Sequence, residues 1–285
     1  MNYRHAYHAG NFADVVKHII LTRVIAYLQR KEAGLLMLDT HAGLGRYELA
    51  STEAQKTGEA ETGIKQFFGS ADGFPPEADK LLCEYSEVVD ALNFNDAINV
   101  APGSPEIMAR LRRAQDRCIF NELHPTDHAT LAANYLREKK TEISLQDAWE
   151  VLRAKLPPAE RRGLILIDPP FEKKSEVDDL LTGLDQALKR FSTGTYLVWY
   201  PLKDARMCKQ LRDGIAEMPV AGALDSQLLV QEPEDGTFYG SGMVVLNPPY
   251  VLHDELRQLL PILAGRLARR DHRGNWATDW LIEPK

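Results

Sequence analysis

The feature that most constrains this chain is Gly163-Leu164-Ile165-Leu166-Ile167-Asp168-Pro169-Pro170-Phe171, an uncharged apolar run that ends abruptly in an acid and two prolines. A strand covered on both faces has no polar side to alternate with, so its sequence is continuously branched and apolar, and this run predicts a buried parallel strand. The prolines cannot extend the ladder. Each fixes its own φ and drives the preceding residue toward extended geometry, which places Asp168 in a stiff loop at the rim of a sheet.

A stiff loop of this composition suits one kind of chemistry. The exocyclic amine of adenine is a poor nucleophile because its lone pair is delocalised into the ring. The Asp168 carboxylate and the Pro169 carbonyl can accept from its two N–H groups and favour a pyramidal, attacking nitrogen. Once methylated, that nitrogen is cationic and strongly acidic, so Asp168 can take the proton without a raised pKa. The work is then mostly positioning and electrostatics. Phe171 offers a flat ring on which a base can stack. The competing reading is a strand end whose acid caps the next helix and whose prolines merely stop the strand.

With 285 residues, 44% of them hydrophobic, the chain can bury a large core as one α/β domain with or without an insertion. No apolar run approaches the ~20 residues that span a bilayer, and the N-terminus lacks a secretory segment, so no membrane is expected and a cytoplasmic location is. The three cysteines, Cys83, Cys118 and Cys208, are odd in number and widely spaced, as in reduced buried thiols. A net charge of −7 argues against a protein that coats nucleic acid indiscriminately, but leaves room for a local basic face. Of the basic clusters, Lys173 and Lys174 stand out because they follow the Asp168 loop.

Upstream, Gly10-Asn11 can cap a helix from about Phe12 to Arg30, with Val16, Ile19, Ile20, Val24, Tyr27 and Leu28 on its buried side. His5, His8 and His18 lie close in sequence, yet His-x-x-His without a second pair is poor support for a metal, and none is expected. Leu35 to Asp39 reads as another buried strand, followed by Thr40-His41-Ala42-Gly43-Leu44-Gly45, whose glycines let backbone approach a ligand. The dinucleotide pattern is not completed, because Glu48 occupies the third glycine position, so the ligand need not carry a pyrophosphate. Residues 46–99 interrupt the strand–helix rhythm with helical patterns and no convincing strand, a small insertion. The rhythm then resumes through 100–285, with acids Glu122 and Asp147 at two successive strand ends. Open α/β sheets bind ligands at that rim. Glu122 can accept from ribose hydroxyls and Asp147 from an adenine amine; either can instead be a helix cap. About seven strands are expected in all.

These residues match a family pattern. Asp39-Thr-His-Ala-Gly-Leu-Gly45 resembles the S-adenosylmethionine loop of class I methyltransferases, and Asp168-Pro-Pro-Phe171 resembles the signature of amino-methyltransferases acting on adenine. Tyr3-Arg4-His5, His8-Ala-Gly-Asn11, Ala13-Asp14-Val15, Lys17-His18, Pro102-Gly-Ser-Pro105 and Arg161 to Pro170 together resemble the RlmJ-type large-subunit ribosomal RNA adenine-N6 methyltransferases across essentially the whole chain. The resemblance implies a Rossmann-like α/β fold with a seven-stranded sheet whose last strand is antiparallel. It further implies a monomer that uses S-adenosylmethionine on an adenine-2030-type site of 23S ribosomal RNA, without a metal. By resemblance His18, His41, Ser104, Glu122, Asp147, Ala148 and Asp168 contact the cofactor, and Asp168 accepts the proton. Tyr3 touches the RNA, with His5, Lys17 and Phe171 close by. Ala148 stands where glycine is expected, and Phe171 where tyrosine is commoner.

A second match to the amine-methylation signature, Asn247-Pro248-Pro249-Tyr250, is set aside on position, since an antiparallel last strand delivers it to the wrong rim. The nearest rival activity is adenine-N6 methylation of DNA. A nicotinamide oxidoreductase accounts for the first glycine loop but not for the prolines, and a non-catalytic RNA-binding module, the bland alternative, predicts tight RNA binding with no binding of S-adenosylhomocysteine.

Overall fold

A computed structural model describes residues 4–70, 72–94, 97–173, 175–234 and 236–284. A 3-10 turn at His5–Tyr7 leads into α1 (Phe12–Leu28), β1 (Leu36–Asp39) and the short β2 (Arg46–Glu48). Helices α2 (Thr52–Thr57), α3 (Ile64–Phe68) and α4 (Pro76–Asp90) come next. The alternating part follows as β3 (Val100–Pro102), α5 (Ser104–Leu111), β4 (Arg117–Asn121), α6 (Pro125–Tyr135), β5 (Thr141–Ser144), α7 (Ala148–Lys155) and β6 (Gly163–Ile167). It closes with α8 (Glu176–Arg190), β7 (Thr195–Leu202), α9 (Ala205–Ala216), β8 (Ala223–Leu229), β9 (Gly240–Leu246), α10 (Leu252–Leu267) and β10 (Asn275–Ile282).

The main sheet has the order β10-β8-β9-β7-β6-β1-β4-β5. Strands β5, β4, β1, β6 and β7 are parallel, β9 lies antiparallel between β7 and β8, and β10 adds antiparallel to β8. The fold is Rossmann-like as expected, but the sheet has eight strands rather than seven. The extra one is the tail strand β10, whose side chains are mostly half-exposed and therefore carry only a diluted period-2 pattern. The segment 46–99 also contains a strand after all: β2, three residues long, pairs with β3 through Arg46↔Pro102, Tyr47↔Ala101 and Glu48↔Val100.

The apolar runs have the cause inferred for them. Along β6, Leu164 and Leu166 enter the core beneath α1, α5 and α10, while Ile165 and Ile167 enter the core beneath α7, α8 and α9. Each such buried side chain contributes about 1.5–3 kcal/mol, which is why a polar residue is absent until the strand clears the helices. The chain order reverses at β1, whose neighbours are β4 on one side and β6 on the other. The crevice of an open α/β sheet forms at that reversal, beyond the carboxyl ends of the strands.

Helix α1 departs from expectation. It has no single buried side, because every residue from Phe12 to Ile25 is buried. Wedged between the sheet and helices α3, α4 and α10, it carries polar side chains into the interior, where Asp14, Lys17, Thr22 and Arg23 each have a partner. Arg23, for example, reaches Glu255 at 2.9 Å and Glu84 at 2.8 Å. Helices α3 and α4 supply Ile64, Phe67, Leu82, Tyr85, Val88 and Val89 to the same core as α1. Of the cysteines, Cys118 and Cys208 are buried but Cys83, on α4, is exposed.

Candidate active site

Asp168 leaves β6 at the rim with its side chain only 14% exposed. Lys17, one turn into α1, reaches across to it: Nζ lies 2.5 Å from Asp168 Oδ2 and 3.0 Å from Asp14 Oδ1. The other Asp14 oxygen, Oδ2, lies 2.9 Å from His5 Nε2 and accepts from the Gly10 N–H at 2.9 Å. The Asn11 side chain caps the helix by accepting from the Asp14 N–H. A buried chain of groups thus runs from His5 through Asp14 and Lys17 to Asp168.

Burial opposes every charge in that chain, so its charges persist only because they pair. For Lys17, Asp14 and Asp168 outweigh burial and raise the ammonium above its ordinary pKa. For Asp14, His5 and Lys17 outweigh burial and hold the carboxyl well below the usual range. His18 has no such compensation; burial drives it down to about 3, against the pull of Asp14, and it is neutral. His41 is likewise pushed down, to about 4, by burial. At the end of β1, Asp39 is pushed up to about 6 by burial, against hydrogen bonds from Ser104 Oγ at 2.5 Å and the His41 N–H at 3.1 Å.

Three cavities meet at Pro170, and Asp168 lines the first and the third of them. The first, about 180 Å³, is walled by His5, His8, Asp14, Lys17, Asp168, Pro170, Trp199, Lys203 and Phe238. The second, about 430 Å³, lies over Thr40, His41, Asn121, Asp147, Ala148, Trp149, Pro170 and Lys173. A smaller one of about 50 Å³ joins them, lined by His5, His41, Gly43, Glu122, Leu123, Asp127, Asp168 and Pro170. Asp168 and the early glycine loop therefore open onto one crevice, as the sequence requires. His18 and Ser104 sit deeper, in a narrow recess beside Lys17, His41 and Asp168.

Glu122 directly follows β4 and accepts from the Gly43 N–H at 2.8 Å and the His124 N–H at 2.7 Å; burial pushes its carboxyl up. Asp147 is exposed at the cavity edge and caps α7 through the Trp149 and Glu150 N–H groups, while Ala148 is buried behind it. Both acids keep lone pairs for a ligand, because a carboxylate accepts about four hydrogen bonds. His8 Nδ1 lies 2.9 Å from Glu59 Oε1, so His5 and His8 are each engaged with a carboxylate. Tyr3 and Lys174 lie outside the described residues.

Phe171 requires a correction. Its backbone takes φ +50° and its ring, 6% exposed, turns into the core against Trp199, with centroids 6.0 Å apart. It has no free face for a base. The flat surfaces on the first cavity belong to Trp199 and Phe238, which pack edge-to-face at 6.3 Å. Trp199 is held by its Nε1 donating to Ser241 Oγ at 3.0 Å, and the Phe171 carbonyl accepts from Lys203 at 3.0 Å. Sequence reasoning missed Trp199 and Phe238 because they lie in or after strands that otherwise read as core. It also gave Asp14 no role, although a carboxylate three residues before a lysine in an otherwise apolar helix is the signal of a buried pair.

The position argument about Asn247 holds. Strand β9 runs antiparallel to β7 with Leu246 beside Tyr196, so Asn247 emerges at the rim opposite Asp168. There its side chain donates to the Ser192 and Gly194 carbonyls at 2.9 and 2.8 Å and accepts from the Ala221 N–H at 3.2 Å.

The family model described as "Ribosomal RNA large subunit methyltransferase D, RlmJ" matches residues 32–282. The protein named Ribosomal RNA large subunit methyltransferase J in Haemophilus influenzae is 38% identical over 283 residues, 99% of each chain. Its namesake in Escherichia coli is 36% identical over 283 residues, again 99% of each. The crystal structure of protein LPL1258 from Legionella pneumophila superposes with a TM-score of 0.87 at 33% identity, covering 95% of this chain and 98% of that one.

Proposed function

This chain belongs to the RlmJ family of large-subunit ribosomal RNA methyltransferases, and on that premise we propose that it transfers a methyl group from S-adenosylmethionine to N6 of an adenine in 23S ribosomal RNA. The observation that carries this reading is the position of Asp168, paired with Lys17, on the wall of the first cavity and of the small recess that joins it, past Pro170, to a second cavity of different character. The larger one is edged by Asp147, Glu172, Glu176 and Asp179, with Lys173 the one cation among its described residues, which disfavours a pyrophosphate and suits a nucleoside bearing positive charge. The smaller one is walled by Trp199, Phe238 and Pro170 and admits a flat base.

S-adenosylmethionine supplies an electrophilic methyl on a sulfonium. His41, Asp147 and Ala148 would frame its adenine end, Glu122 would accept from its ribose hydroxyls, and Asp39 with Ser104 and His18 would form the floor nearest Asp168. On the acceptor side, an adenine taken out of its stack slides against Trp199. One Asp168 oxygen and the Pro169 carbonyl accept from the amine N–H groups and orient the nitrogen lone pair toward the methyl. Lys17, fixed between Asp14 and Asp168, holds the carboxylate in that orientation and stays charged throughout. After attack the proton passes from the cationic nitrogen to Asp168 and on to solvent. Tyr3, His5 and Lys17 are read as the substrate-side residues, and Phe171 as the support that sets the angle of Trp199.

We read residues 46–99 as a subdomain that braces this side: Glu59 holds His8 and Asn11, and the Ile64 N–H donates to the Gly10 carbonyl at 2.8 Å. The enzyme is read as a cytoplasmic monomer. The test is methyl incorporation from labelled S-adenosylmethionine into transcribed large-subunit RNA, naked or in particles, with duplex DNA alongside. Incorporation at an adenine N6 of the RNA alone is expected; transfer to DNA but not RNA would defeat the substrate assignment.

A further inference from the structure

The rim opposite the active site carries a groove that the chemistry above does not use. About 420 Å³ in volume, it lies where α1 ends and where β6 and β7 begin, and Tyr27, Arg30, Lys31, Arg161, Arg162 and Tyr250 supply its side-chain chemistry. In a chain of net charge −7 this is a local reversal, with four cations and no carboxylate among the lining residues. Among the described residues none of the four forms an ion pair. Glu160, next to Arg161, is committed to Arg117 at 2.9 Å and Asp116 to Arg113 at 2.9 Å, while Glu32, next to Lys31, does not line the groove.

The aromatic half of the groove is built with care. Arg30 lies over the Tyr27 ring at 5.1 Å, and Tyr27 meets Tyr250 edge-to-face at 5.6 Å. Tyr250 is nonetheless 75% exposed, so one face is open. What holds it there is the second Pro-Pro motif. Asn247, at φ +50°, is locked by three hydrogen bonds to the backbone, and two prolines stiffen the path to the tyrosine. An amide that methylates nothing thus acts as a clamp for an aromatic post.

We propose that this rim is a second RNA-contact site, in which Arg30, Lys31 and Arg161 meet phosphates and the open face of Tyr250 stacks an unpaired base. The proposal rests on the RNA reading above. Its physical motive is that the cavity read as the cofactor's, which adjoins the base pocket, is edged by Asp147, Glu172, Glu176 and Asp179, which repel a polyanion, so part of the affinity for the RNA backbone must come from elsewhere. The reach is short. Strand β6 runs from Gly163 at the groove to Ile167, next to Asp168, about 13 Å at the usual rise per residue.

The test uses the full chain with a fluorescent single-stranded large-subunit RNA fragment, titrated at several salt concentrations, for wild type, Tyr250→Ala and Arg30→Glu/Arg161→Glu. Loss of one stacked base should weaken binding at least about five-fold, and loss of two phosphate contacts should lower the log–log salt slope by about 1.4. KM for RNA should rise with kcat and the S-adenosylhomocysteine titration unchanged. Unchanged affinity and slope in both variants would overturn the proposal, as would competition by adenosine monophosphate as effective as that by unlabelled RNA. If Tyr250→Ala fails to fold, the arginine pair decides alone. Wild type that binds RNA in this way but transfers no methyl would sink the activity and spare the site; active wild type with indifferent variants would do the reverse.

Discussion

Replacing Lys17 with methionine keeps most of the side-chain volume and removes only the cation. That cation is 5% exposed and stands between Asp14 at 3.0 Å and Asp168 at 2.5 Å. At an effective dielectric near 20, a contact close to 3 Å is worth roughly 5 kcal/mol before desolvation, and desolvation cancels much of it. Breaking such a buried set by removing one partner costs about 3–5 kcal/mol, because the carboxylates left behind are uncompensated. For a chain of this size that corresponds to a fall of about 10 °C in melting temperature. Adding Asp14→Asn removes one orphaned charge and should recover at least a third of the lost stability. It should not recover turnover, because Asp168 still lacks the group that orients it, and kcat should stay down by about a hundred-fold or more. Thermal melts and methyl-transfer kinetics on the two variants separate these roles. A Lys17→Met protein that melts with wild type, or a double variant with restored kcat, would refute the account of a lysine that positions the base.

Asp168→Ala should abolish transfer while S-adenosylhomocysteine still binds, whereas Asn247→Ala should leave kcat per folded molecule intact but lower stability by about 2–3 kcal/mol through three lost hydrogen bonds; the reverse pattern of activity would make Asn247 catalytic. His18 is held down to about 3 in the folded state, so below pH 6.5 the unfolded chain takes up a proton that the folded one refuses. Wild type should therefore lose about 2 kcal/mol more than His18→Gln between pH 7 and pH 5, read by urea denaturation at each pH; parallel curves would contradict a neutral buried imidazole. Trp199→Ala should raise KM for RNA about ten-fold with cofactor affinity unchanged, and an unaltered KM would remove Trp199 from the base pocket. Gly63→Ala should loosen the 46–99 segment, since a Cβ there would sit 2.1 Å from the Gly10 carbonyl oxygen; limited proteolysis that cuts both proteins equally would argue otherwise.

Much of the rim was legible in the chain. An unpaired charge is costly inside a two-sided core, so the abrupt endings of β1 at Asp39, β4 before Glu122 and β6 before Asp168 marked where the strands leave their helices. Those endings alone brought His41, Glu122, Asp147 and Asp168 to one crevice, and antiparallel β9 sent Asn247 to the other rim. What local pattern could not convey was direction within the core. Helix α1 reads as one-sided in sequence but is enclosed on all sides, and only the packing of α4 and α10 over it makes Asp14 and Lys17 buried partners of Asp168. Phe171 and Trp199 show the same limit: both are aromatic, and which one faces the cavity depends on a single positive φ and a hydrogen bond to Ser241. Strand ends follow from desolvation, which each residue carries with it, whereas the facing of a side chain depends on neighbours that the fold alone assembles.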